Sequence, residues 1–210
     1  MIRSQSLRFE CIRCGACCID QNTIVNTSYF DLLRIKDGLN LTLDELIYIL
    51  GFYVFENKIS ESKRKKLVIS PIIVEKGLAF VGLFKKKNGE CYFYNREKQE
   101  CSIYDLRPMF CRTFPFSFQM IDKDDNSLSS KIKITFSNKG IDYCPGISEN
   151  SPIINIKEWV KVGKKTLDEI GENEKIISMY NSLVNEGKIQ PTVKTFLNFL
   201  LNFSLSDLKI

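Results

Sequence analysis

The segment CIRCGACC, Cys11 to Cys18, puts four thiols into eight residues, half of the eight cysteines of the chain, in a sequence that contains no histidine. Such a stretch, next to Arg13, Gly15 and Asp20, lacks the apolar periodicity of a core element, so its cysteines are not ordinary small hydrophobes. Two uses of the thiols compete. Disulfides are one, and the intracellular proteins of hyperthermophiles do use them. Adjacent Cys17 and Cys18, however, cannot bond to each other without strain. The opening MIRSQSLRFECIRC also shows neither the apolar stretch nor the small-residue cleavage site of a secretory signal. The expectation is a cytoplasmic chain with reduced thiols. Metal ligation is the other use. A C-x2-C turn aims two thiolates at one ion, and Gly15 permits the backbone conformation such a knuckle needs. Soft thiolate ligands without imidazole select zinc or iron, the latter possibly as an iron–sulfur cluster.

The other four cysteines, Cys91, Cys101, Cys111 and Cys144, come singly. Zinc ribbons show two C-x2-C pairs, and a ferredoxin run places its fourth cysteine three residues on. This spacing matches neither, so metal identity and the division of ligands stay open. Lone cysteines cannot complete a site alone. All eight sulfurs are therefore expected in one region, with Cys11–Cys18 brought against the Cys91–Cys111 region and Cys144. The adjacent pair Cys17-Cys18 favours compact sites of the zinc type. In CSIYDLRPMFCRTFPF, Arg107 and Arg112 flank Cys111. Guanidinium groups donate hydrogen bonds to metal-bound sulfur without competing for the metal. The ordinary alternative for Arg107 is a pairing with Asp105 or a helix end. Phe110, Phe114 and Phe116 would exclude water. The formal charge of +5 would fall to about +1 with eight thiolates on two divalent ions. The basic excess thus gives no reason to expect nucleic acid binding, and the runs at Lys63–Lys66 and Lys85–Lys87 read as solvated turns.

The coarse pattern is α+β: a small Cys-rich, metal-centred core with short antiparallel strands and flanking helices, then a helical C-terminal tail. Residues 1–25 read as loop. A short helix is expected at about Ser28–Ile35. Thr42-Leu43-Asp44-Glu45 has capping-box spacing, with Leu46, Ile47, Leu50 and Val54 at helical intervals after it. LVISPIIVE, with Pro71, suits an edge strand, and LAFVGLF follows. Asn88-Gly89 predicts a hairpin into CYFYN. Phe114–Met120 and Ile132–Phe136 alternate as strands around DKDDNSLSS, a polar loop that lacks the glycine and glutamate of a calcium site. Beyond Pro152 the pattern is helical, with a break or bend at Gly171, a C-terminal stop at Gly187, and Pro191 opening the last helix. Residues 1–150 are expected to form a cysteine-cluster metal-binding domain, with 151–210 a helical extension packed on it. No stretch is long and apolar enough to span a membrane.

FECIRCGACC, ECYFYNREKQECSIYDLRPMFCRTFPF and DYCPGI together resemble the CxxCxxCC cysteine-cluster (YkgJ-like) family, described as a zinc- or iron-chelating domain. The resemblance covers about residues 9–147. It implies that Cys11, Cys14, Cys17, Cys18, Cys91, Cys101, Cys111 and Cys144 are metal ligands. Arg107, Pro108 and Arg112 match the family's RP…CR segment, while Tyr92-Phe93 depart from its usual Phe-Leu. The family name implies ligands rather than a reaction. A related cysteine domain occurs in the flagellin lysine methylase, so an iron–sulfur or zinc enzyme of redox or methyl-transfer type is the alternative to a metal-binding protein. A partner-docking adaptor using the helical tail is a third class. Against the enzyme, the usual general base near neutral pH is missing, as are nucleotide-binding and hydrolase motifs.

Overall fold

The structure, a computed structural model, describes residues 6–55, 67–121 and 131–203. It is α+β. In chain order the elements are α1 (Ala16–Ile19), α2 (Tyr29–Gly38), α3 (Leu43–Tyr48), β1 (Leu50–Val54), β2 (Ile72–Val74), β3 (Gly77–Leu83), β4 (Tyr94–Asn95) and β5 (Glu100–Cys101). A 3-10 turn (Tyr104–Leu106) comes next, followed by α4 (Met109–Thr113), β6 (Phe116–Ile121), β7 (Lys131–Phe136), α5 (Asn138–Tyr143), α6 (Ile156–Asn185) and α7 (Val193–Asn202). Every strand pairing among these elements is antiparallel. The sheets are β1-β3-β2, β4-β5 and β6-β7.

Helices α2 and α3 each begin with a full capping box. Ser28 and Asp31 form one, and Thr42 and Glu45 form the other. The helical spacing read through Val54 does not persist. Helix α3 ends at Tyr48, and Leu50–Val54 is a strand paired with β3, Leu50 opposite Leu83 and Val54 opposite Ala79. The segment LGFYV combines glycine with aromatic and β-branched residues, which favour a half-buried pleated surface over a helix. β2 is the sheet edge, as Pro71 suggests. Asn88-Gly89 does turn tightly, with Gly89 at φ 81 and its N–H donating to Lys86 O. The predicted hairpin shrinks to a single bridge between Lys85 and Cys91, because Tyr94–Asn95 pairs onward with Glu100–Cys101 instead.

Helix α6 runs through Gly171 without a break. A lone glycine costs a helix only about 1 kcal/mol, and the buried Ile176, Ile177 and Tyr180 just beyond it hold the helix in place. Gly187 does stop the helix, at φ 70. The last helix starts two residues later than Pro191 suggests, because Thr192 is the N-cap and accepts from the Thr195 N–H. The lysine-rich run at 63–66 and the DKDDNSLSS loop lie outside the described residues.

The core joins Leu32 and Ile35 of α2, Leu46 of α3, Ile72 and Ala79 of the sheet, Ile176 and Tyr180 of α6, and Leu197 of α7. α6 packs on α2, β2, β6 and β7, while α7 packs on α3. Among the described residues no helix is long and apolar enough to cross a membrane.

Candidate metal centre

The CIRCGACC segment is held from both sides. On its N-terminal side the chain runs along residues 146–154. The Phe9 and Glu10 N–H groups donate to Pro152 O and Gly146 O, and the Ile154 N–H donates to Leu7 O. On its C-terminal side α1 starts where Gly15 turns the chain at φ 75. A Cβ on Gly15 would lie 2.6 Å from the Tyr94 ring, so Gly15 meets both a backbone and a packing demand. Cys18 is then locked to the second cysteine group, because the Cys91 N–H donates to Cys18 O at 2.8 Å. Lys85 Nζ donates to Asp20 O and Lys86 Nζ to Tyr94 O. These two lysines therefore stitch loops around the cysteines, which corrects their reading as solvated turns.

All eight thiols are free. They line two adjoining cavities. The inner one, of about 60 Å³, is bounded by Cys11, Cys17, Cys18, Cys91, Cys101 and Cys111. The outer one, of about 170 Å³, is bounded by Cys11, Cys14, Cys17, Cys111 and Cys144. Cys11, Cys17, Cys111 and Arg107 belong to both walls. The sulfurs feel one another electrostatically: Cys111 feels Cys17, Cys91 and Cys101, while Cys144 feels Cys14 and Cys17. Cys11 and Cys14 are exposed, whereas Cys91 is buried.

Among the described residues no three of these side chains already stand in coordination geometry. Cys17 and Cys18 hydrogen-bond to each other through their thiols. The hydrogen bond from Cys18 brings the Cys17 thiol down to about 7 and drives Cys18 itself up. Burial pushes up Cys91, Cys101, Cys111 and Cys144. Thiols with raised pKa values in a shared enclosure are favoured to ionise only when a cation takes the place of the protons.

The arginines form part of the enclosure. The Arg107 guanidinium lies 3.6 Å from the centroid of Tyr104, and that of Arg13 lies 4.3 Å from the same ring. Arg107 Nε donates to Tyr104 O at 2.8 Å, at the end of the 3-10 turn. The remaining guanidinium nitrogens of Arg107 are free of carboxylates among the described residues, Asp105 included. Arg112 lines the outer cavity. Its Nε is buried with no hydrogen-bond partner among the described residues, and Glu169, a carboxylate that faces it, is at 4.0 Å. A buried donor without an acceptor, beside five sulfurs, is chemically suited to thiolates that carry net negative charge around a metal. The donor set, all sulfur and without imidazole, fits zinc or iron.

Three contributors lie outside the sequence motif. Trp159, from α6, lines the outer cavity and packs on Phe116 with ring centroids 4.2 Å apart. Glu169, also from α6, faces Arg112. Asp31 of α2, fully buried, holds the helix that carries Cys111 and Arg112. Its second task, 78 residues away, carries no local signal in the sequence.

An α+β chain whose eight cysteines close around two adjoining cavities is a cysteine-cluster protein. Residues 10–145, which include all eight cysteines, match the CxxCxxCC family, described as "Putative zinc- or iron-chelating domain", and the chain belongs to that family. It is similar to the uncharacterised protein MJ0661 of Methanocaldococcus jannaschii, with 26% identity over 169 residues covering 80% of this chain and 73% of that protein. No solved structure matches.

Proposed function

We propose that this protein binds metal through all eight cysteines, holding zinc or iron in a two-lobed thiolate centre. The observation that carries this reading is the arrangement of eight free thiols around two adjoining cavities with a shared wall. The inner lobe would use Cys18, Cys91, Cys101 and Cys111, and the outer lobe Cys11, Cys14, Cys144 and Cys17. Arg107 and Arg112 would donate to the sulfurs and offset their charge. Four protein thiolates close a structural zinc site and leave no open position. Residues 1–150 would be the metal-binding domain, with residues 151–210 an extension that supplies Trp159 to its outer wall and Glu169 opposite Arg112. Metal ions are the partners this reading requires, and thiols kept reduced for metal would suit a cytoplasmic protein.

The test is metal and acid-labile sulfide analysis, with a visible spectrum, on protein purified without oxygen. Two zinc ions per chain and no colour identify closed zinc sites. A brown protein with labile sulfide identifies an iron–sulfur centre in the same cysteines. Protein with neither metal, recovered with its thiols free and unable to take up zinc or ferrous iron, overturns the proposal. Cys18→Ser and Cys14→Ser are expected to remove metal from different lobes. Equal loss from both lobes in either variant would show a single shared centre.

A further inference from the structure

Residues 11–14, the C-x2-C turn, make no backbone hydrogen bond among the described residues. The ties on either side belong to Glu10, whose N–H donates to Gly146 O, and to Gly15, whose carbonyl accepts from the Cys18 and Ile19 N–H groups. Cys11 and Cys14 are both exposed. Within the turn Arg13 has φ 55, a left-handed conformation that a residue other than glycine keeps only where its surroundings hold it there. The turn is therefore fixed through side chains.

The Arg13 guanidinium stands over the Tyr104 ring, where that of Arg107 also stands. Arg107 is tied to Tyr104 a second time, through its Nε and the Tyr104 carbonyl, whereas Arg13 has the ring alone. Among the described residues neither guanidinium is paired with a carboxylate. Two cations on one ring repel each other, and the negative face of the ring offsets only part of that repulsion. Anions must offset the rest, and sulfurs are at hand: Arg13, Tyr104 and Arg107 share the wall of the inner cavity with six cysteines. Tyr104 opens the 3-10 turn that follows Cys101. Its ring thus joins the exposed turn of the outer lobe to the chain that builds the inner one.

We propose that Tyr104 is a positioning residue of the metal centre: its ring captures Arg13 and so latches the Cys11–Cys14 turn over the outer cavity, beside Arg107 at the shared wall. This rests on the chelation proposed above and adds to it what closes the outer lobe. The latch sets Cys11 and Cys14 in place before metal arrives. Thiolates around a bound metal then add the negative charge that two neighbouring guanidinium groups lack, so the loaded centre tightens the latch in turn.

The test is chelator-driven metal release from the protein as purified, followed through the emission of Trp159, which lines the outer cavity, with metal analysis on the same samples. Tyr104→Leu removes the ring but leaves the backbone carbonyl that accepts from Arg107, so it isolates the aromatic contact. It is expected to speed release from the outer lobe about two- to fivefold, the scale of one exposed cation–aromatic contact. Arg13→Gln, at an exposed position, is expected to do the same without disturbing the fold. The double variant should release no faster than either single one, because both remove the same contact. Tyr104→Phe, which keeps the ring, should release at the unmodified rate. The proposal is overturned if Arg13→Gln or Tyr104→Leu releases metal at the unmodified rate, if Tyr104→Phe is as fast as Tyr104→Leu, or if the two single effects multiply in the double variant. Unmodified protein that holds no metal and takes up neither zinc nor ferrous iron overturns the chelation reading itself, and the latch with it.

Discussion

Asp31 Oδ1 accepts the Met109 N–H at 2.8 Å, so one buried carboxylate caps two helices separated by 78 residues. Its other oxygen takes the Ser28 N–H at 3.0 Å in the capping box of α2, and Arg34 donates to Oδ1 at 2.8 Å. Burial pushes the Asp31 carboxyl up, while these donors work to keep it ionised. Through Met109 this carboxylate sets the start of α4, and α4 carries Cys111 and Arg112 to the centre. Asp31→Ala leaves two buried backbone N–H groups unpaired and takes the carboxylate from Arg34, which keeps only the Arg107 carbonyl, an expected cost of about 3 kcal/mol or more. Urea unfolding of the metal-containing protein measures the loss. Metal retention in the presence of a chelator should fall with it, since Cys111 loses its anchor. A variant that unfolds earlier yet keeps its metal as tightly as before would show that α4 does not depend on Asp31 for position.

Gly146 makes a second structural demand that composition does not reveal. A Cβ there would stand 2.3 Å from Glu10 O, a backbone atom that cannot swing aside. The Glu10 N–H also donates to Gly146 O at 3.1 Å, so the two chains touch at the residue just before Cys11. Gly146→Ala is expected to push the N-terminal segment off residues 146–154. The expected result is faster chelator-driven loss of metal from the lobe of Cys11, Cys14 and Cys144, with little change in the buried lobe of Cys91. Thiol-counting with a chromogenic disulfide reagent follows both lobes as they open.

Trp159 is the only tryptophan in the chain, and it lines the outer cavity with Cys11, Cys14 and Cys144. Its emission should therefore report metal in the outer lobe directly. Adding zinc to the metal-free protein is expected to shift and intensify the emission as the exposed loop closes over the indole. Iron is expected to quench it. Cys14→Ser should remove the response, and Cys101→Ser should leave most of it. A response lost equally in both variants would mean that Trp159 senses global folding rather than the outer lobe.

The sequence carried the local features well and the distant ones poorly. The capping box of Thr42 and Glu45, the edge position of β2 and the left-handed Gly15 and Gly187 follow from residue types within a few positions of each other, and all are present. The error at Leu50–Val54 has a physical cause. Leu46, Ile47, Leu50 and Val54 satisfy a helical period, but the strand is decided by pairing with residues 79–83, which no local window contains. The cysteine spacing indicated one region and the soft-metal chemistry suited to it. It could not show that Cys11, Cys17 and Cys111 stand in a wall between two cavities, because that depends on where α4 and the 146–154 segment lie. Trp159 and Glu169 read as ordinary members of an amphipathic helix, and only the packing of α6 on β6 and β7 brings them to the centre.

The edge strand β2 presents unpaired backbone groups, and α6 satisfies them with two consecutive side chains. Asn181 Oδ1 accepts the Ile73 N–H at 2.9 Å, and Asn181 Nδ2 donates to Pro71 O at 3.0 Å. The Tyr180 hydroxyl donates to Ile73 O at 3.1 Å. The edge is thereby covered rather than left open to another chain. Burial, together with the charge of Glu75, pushes the Tyr180 phenol up to about 12. A pKa raised on folding means that the native state holds its proton longer than the unfolded chain does. The contribution of Tyr180 is then fully present below about pH 10, the ordinary value for tyrosine, and is lost as the pH rises through about 12. Among the eight tyrosines, burial also pushes up Tyr53 and Tyr143, but phenolate absorbance should show Tyr180 ionising last, together with a fall in stability over that same interval. Tyr180→Phe should remove the late step. It should also cost about 1 kcal/mol at neutral pH, from the Ile73 carbonyl left without its donor. If the late titration persists in Tyr180→Phe, another phenol is responsible and the edge of β2 is held by Asn181 alone.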